Sequence, residues 1–210
     1  MMARSHGLIA LGLAALVLPI AVLARPEAKP TPMVPLKTPA DFASIADPAA
    51  RSAAIFTEMG KVIQSPRCLN CHPRSDRPRQ GDEMQAHMPP VVRGPADQGA
   101  PGMECATCHG EANVAFANGE GSIPGAPHWQ LAPASMAWEG KSLAAICAQI
   151  KDVKRNGGKS LAALIEHNGK DALVGWAWHP GLGRAPAPGT QAQFGALTKA
   201  WVDSGAKCPA

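Results

Sequence analysis

Apolar residues in this chain fall into short helical stripes separated by long polar stretches. Ile55, Phe56, Met59, Val62 and Ile63 recur at three- and four-residue intervals, which predicts an amphipathic helix. Asp47-Pro48 ahead of them supplies a capping carboxylate and a proline suited to the first helical position. Ser65-Pro66 predicts the helix end. Ser142 is the expected cap of a second helix with Leu143, Ile146, Cys147 and Ile150 on one face, broken by Asn156-Gly157-Gly158. Ser160 opens a shorter one, Leu161 to His167, which should stop at Asn168-Gly169. A last helix from about Gln191 to Asp203 turns Phe194, Leu197 and Trp201 inward. Segments 74–102 and 113–127 show no apolar period and are punctuated by proline and glycine, so they read as loops. Trp176-Ala177-Trp178-His179-Pro180-Gly181 reads as an aromatic-rich turn. The predicted fold class is mainly α with extensive loops.

The N-terminus carries a different pattern. Arg4 and His6 precede an uncharged apolar run from Gly7 to Ala24, and Val22-Leu23-Ala24 ends in residues tolerated by signal peptidases. Residues 1–24 are expected to be a secretory signal. The alternative, an uncleaved anchor, has a run at the lower limit for spanning a bilayer, and Pro19 argues against it. Residues 25–40 are rich in proline and predict an extended, mobile linker. The functional domain is then 41–210, exported to the periplasm, with membrane association only if the signal is retained.

Composition changes this picture in one respect. Gly and Pro number 21 each and Tyr is absent, which is poor material for an aromatic core and by itself suggests disorder. A large apolar cofactor would supply what the side chains lack. Cys68-Leu69-Asn70-Cys71-His72 and Cys105-Ala106-Thr107-Cys108-His109 are two copies of Cys-x-x-Cys-His, the attachment signature of a c-type haem. In such a motif both cysteines form thioethers to the porphyrin, and the adjacent histidine gives the iron an axial nitrogen. The expectation is two covalently bound haem c groups. They are held by Cys68 and Cys71 and by Cys105 and Cys108, with His72 and His109 on iron. A four-cysteine zinc module is the rival, but it has no use for a histidine after each pair, and the gap from Cys71 to Cys105 exceeds ribbon spacing. Cys147 and Cys208 remain, and in an oxidising compartment they are expected to form a disulfide.

The motifs are too close in sequence for two single-haem domains. The haems must therefore share one small diheme cytochrome c fold and lie near each other. Candidates for the distal positions are His87, in the loop between the motifs, and His167, at the end of a short helix. His128, His179 and Met136 remain alternatives. The net charge of +4 is mild. Arg67, Arg74, Arg77, Arg79 and Arg93 cluster around the first motif. They read either as a docking face for an acidic redox partner or as partners for haem propionates. Without interleaved aromatics they do not suggest nucleic-acid binding.

Beyond the motifs, Leu131-Ala132-Pro133 with Met136-Ala137-Trp138-Glu139-Gly140, Asn156-Gly157-Gly158, Leu173-Val174-Gly175-Trp176-Ala177-Trp178 and the ending Trp201 to Pro209 resemble a family of small exported diheme cytochromes known as isoquinoline 1-oxidoreductase subunits. The resemblance implies electron transfer beside a molybdenum hydroxylase. The order motif, histidine, motif is also similar to the small diheme subunit of periplasmic nitrate reductases, which implies bis-histidine haems. The expected function is electron relay from a partner dehydrogenase to a downstream acceptor, with no substrate chemistry on this chain. The alternative is a haem enzyme of peroxidase-like type with one open axial site.

Overall fold

The structure, a computed structural model, describes residues 34–210. The expected signal and most of the expected linker lie outside these residues. Among the described residues the fold is mainly helical, with small two-stranded hairpins and many loops. Its helices are α1 (Pro48–Ile63), α2 (Pro66–Leu69), α3 (Leu143–Lys151), α4 (Leu161–Lys170), α5 (Ala172–Gly175) and α6 (Gln191–Asp203). None of the described helices is long and apolar enough to cross a membrane.

The caps behave as the sequence predicts. Asp47 accepts from the N–H groups of Ala49 and Ala50, Ser142 from Ala145 and Ser160 from Ala163. The start of α6 carries a cap that the sequence reading did not nominate, a reciprocal capping box of Thr190 and Gln193. Phe56, Met59 and Val62 of α1 pack with Ile146 of α3, Leu164 of α4 and Phe194, Leu197 and Trp201 of α6 in one buried core. Cys147 and Cys208 are bonded at 2.04 Å, closing 61 residues. Such a loop is worth about 4 kcal/mol on the chain-entropy model. The tail is also held by Ser52 of α1, whose hydroxyl accepts from Lys207 N–H at 2.9 Å and donates to the Trp201 carbonyl at 3.1 Å.

Several boundaries differ from the sequence reading for identifiable reasons. Pro66 does not merely end α1. It opens α2, whose single turn carries Cys68. The second helix stops at Lys151, before Asn156, and Asn156 instead ties off the following turn by accepting from Lys159 N–H and donating to the Ile150 carbonyl. The next helix runs through Asn168-Gly169 to Lys170. Gly169 continues the helix because it faces Gly195 of α6: a Cβ on Gly195 would lie 2.6 Å from the Gly169 Cα. Upstream, the stretch 34–40 touches the body at named points. Leu36 is buried, Lys37 N–H donates to Glu58 Oε1 at 2.9 Å, and a 3-10 turn begins at Pro39.

The segment expected to be a plain loop between the motifs holds two hairpins. β1 (Arg79–Gln80) pairs with β2 (Gln85–Ala86), and β3 (Gly99–Ala100) with β4 (Met103–Glu104), both antiparallel. A third hairpin joins β5 (Val114–Ala115) to β6 (Ser122–Ile123). Each ends one residue before a group that matters below: His87, Cys105 and Pro124.

Candidate haem-attachment sites

Cys68 sits on α2 and His72 just beyond it. The His72 Nδ1 lies 2.7 Å from the Met136 carbonyl oxygen. A carbonyl has no proton to give, so Nδ1 donates and the Nε2 lone pair is left for a metal. The ring is stacked on Trp138, with centroids 3.4 Å apart and planes 7° from parallel. The His72 carbonyl in turn accepts from the N–H groups of Trp138 and Glu139. Burial pushes the His72 imidazole down to about 3, against the Met136 hydrogen bond, so the ring is neutral.

Cys68, Cys71 and His72 line one largely apolar cavity. Burial pushes the Cys68 thiol up to about 12 and the Cys71 thiol up to about 11, so neither is a thiolate at neutral pH. His167 lines the same cavity. Its Nδ1 is 3.2 Å from Asp171 Oδ2, so it too presents Nε2. Burial lowers the His167 pKa, with Asp171 opposing, and a positive charge on His167 would add to the fall at His72.

The second motif has the same internal logic on different supports. Cys105 opens a 3-10 turn directly after β4. His109 Nδ1 donates to the Pro124 carbonyl at 2.8 Å, and β6 delivers that carbonyl. Trp129 stacks on the His109 ring at 4.8 Å and 16°. His87, directly after β2, has its ring centre 5.8 Å from that of His109. Its Nδ1 donates to the Pro89 carbonyl at 3.0 Å. Burial lowers the His109 pKa, the Pro124 bond opposing and His87 adding to the fall. Cys105 is half-buried and Cys108 is exposed. The sites are linked by rings: Trp129 meets Trp176 edge-on at 4.9 Å, and Trp176 lines the cavity of the first motif. Asn113 fixes Trp176 by accepting from its Nε1 at 2.8 Å.

Of the four histidines expected as ligands, His109 and His87 are brought ring to ring, and His72 and His167 line one cavity. His128 and His179 are exposed, and neither ring makes a hydrogen bond among the described residues. Met136 serves His72 through its backbone carbonyl while its side chain is buried in the core. The arginine cluster is largely engaged internally. Arg79 pairs with Glu139 at 2.9 Å, Arg77 donates to the His87 carbonyl, and Arg93 is held by Asp97, Asp76 and the Ala132 carbonyl. Sequence reasoning missed the orienting shell: Trp129, Trp138, Asp171 and the Met136 and Pro124 carbonyls. A tryptophan near each motif in space was the one signal available.

No group of three or more His, Cys, Asp or Glu side chains gathers as a metal site among the described residues. Arg67 Nε and Nη1 and Trp138 Nε1 are buried without hydrogen-bond partners, and both residues line the first cavity. Unspent donors of this kind suit a group bearing carboxylates. Comparison with protein-family models, curated proteins and solved structures returns no match.

Proposed function

We propose that this chain is an exported diheme c-type cytochrome that relays electrons from a partner dehydrogenase, of the molybdenum hydroxylase type by the resemblance above, to a downstream acceptor. Cys68, Cys71, Cys105 and Cys108 would hold the porphyrins. His72 with His167 and His109 with His87 would hold the irons. Bound haem supplies reversible one-electron chemistry at iron.

One observation carries the reading. All four histidines have Nδ1 spent on a fixed oxygen, in three cases a backbone carbonyl, so each holds the tautomer that offers Nε2. Ordinary surface or core histidines have no reason to share this pattern. The 5.8 Å between the His87 and His109 rings also suits two imidazoles on one metal. Two metal–nitrogen bonds of about 2 Å each, plus the two half-rings, come to roughly 6 Å. The protein's part is to bind, to orient the rings, and to exclude water from the first site.

The test is maturation of the full chain in a periplasm that makes c-type haem, followed by a pyridine haemochrome assay and whole-protein mass. Two haems per chain are expected; the mass of the bare polypeptide would end the proposal. His87→Ala is then expected to keep both haems while turning one iron from low to high spin. Carbon monoxide should leave the reduced wild-type Soret band in place, and a shifted band would favour an open-site enzyme.

A further inference from the structure

Arg67 is the most deeply buried charge of its cluster, with 1 % of its side chain exposed. It is covalently adjacent to Cys68 and lines the same cavity as Cys68, Cys71 and His72. Its Nη2 donates to Asp82 Oδ1 at 2.5 Å and to the Gly81 carbonyl at 2.9 Å. Its Nε and Nη1 donate to nothing. The Trp176 ring, 5.8 Å from the guanidinium carbon, can meet the cation's face but cannot accept its in-plane N–H groups at that range.

The local charge is also unbalanced. Arg184 packs close enough to Arg67 to feel its field, and Asp82 is the carboxylate acting on both. Two guanidinium groups therefore share one acid. Arg184 spends its donors on Ser122, Pro180 and Leu182 oxygens. The spare donors are on Arg67, and the one carboxylate leaves the pair of cations with a net positive charge. Leaving them unmet in a buried setting is costly, so the arrangement calls for a second anionic oxygen beside the first motif.

We propose that Arg67 holds a propionate carboxylate of the haem attached to Cys68 and Cys71, with Asp82 fixing the opposite edge of the guanidinium. This rests on the haem reading of the first motif. Propionates are the anionic groups a haem carries, and an arginine is suited to them.

The experiment uses the matured full-length protein with haem propionates labelled with carbon-13, and records infrared difference spectra between oxidised and reduced forms. Arg67→Gln is expected to keep both haems, shift a labelled carboxylate band, and move one midpoint potential negative. The sign follows because removing a positive charge favours the more positive ferric state. Arg67→Lys should restore the potential in part while the band stays shifted. If Arg67→Gln carries two haems and every labelled band stays in place, Arg67 is not the anchor. Should Arg67→Gln mature with fewer haems, Asp82→Asn takes over the test. It removes the carboxylate charge from Nη2 and is expected to shift the same band, and an unmoved band there sinks the proposal. A wild-type protein without haem would instead defeat the reading of the motif.

Discussion

The two Cys-x-x-Cys-His motifs share a pattern and almost nothing of their setting. The first stands on α2, with His167 delivered by α4 and the pair facing an apolar cavity walled by the helical core. The second is assembled from hairpin ends: β2 leads to His87, β4 to Cys105 and β6 to the carbonyl that orients His109, with Cys108 exposed. What is common is a carbonyl on Nδ1 and a tryptophan against the ring. On the proposed reading the pentapeptide would specify attachment, while the carbonyl and the indole orient the ring. Burial is left free to differ, and burial is what tunes a haem.

The sharpest way to break this contrast is to delete one motif at a time. Cys68→Ala with Cys71→Ala opens the core around the cavity and is expected to abolish accumulation of folded protein. Cys105→Ala with Cys108→Ala should leave a folded protein with one haem per chain and the helical circular dichroism of wild type. Equal behaviour of the two pairs would mean the sites are not structurally unequal after all.

A middling effect is expected in the potentials. Burial favours the less charged ferrous haem, so the first site should titrate at the more positive potential, by on the order of 60 mV, a tenfold bias in a one-electron equilibrium. Spectroelectrochemistry resolves the two steps, and the spin change in His87→Ala assigns the second. A more negative first site would reverse the inequality.

The smallest effect concerns pH. Glu139 accepts from Arg74 N–H at 3.0 Å and pairs with Arg79, next to the Trp138 that stacks on His72. Burial raises its carboxyl pKa, but the Arg74 N–H and the Arg79 guanidinium outweigh this and leave it below the usual value of 4.5. A depressed folded value means the contribution is whole above about 4.5 and fades as pH falls through the lower, folded value. Glu139→Gln should therefore cost about 0.5–1 kcal/mol near neutrality and nothing once the wild-type carboxyl is protonated. Denaturant melts at the two pH values check this, and a pH-independent cost would remove the ion pair from the first site's support.

Much of the helical frame was legible because caps are local chemistry. Asp47, Ser142 and Ser160 act on N–H groups within three residues, and the span Gln191 to Asp203 matches the sequence reading, though its Thr190–Gln193 cap was not nominated. The disulfide was legible because only two cysteines were left over. The hairpins were not, since two-residue strands leave no periodicity to read. The extension of α4 past Asn168-Gly169 was hidden because a glycine that reads as a stop was placed there for its contact with another helix. At the sites, side chains could be nominated and backbone acceptors could not. Met136 was a plausible ligand through its sulfur, and its backbone oxygen carries no mark in the sequence.

That glycine contact reaches further than the fold. His167 lies two positions before Gly169, on a helix pressed backbone to backbone against its neighbour at Gly195. Two residues without side chains let the helices close this tightly, and they share with Asp171 the task of setting where one imidazole points.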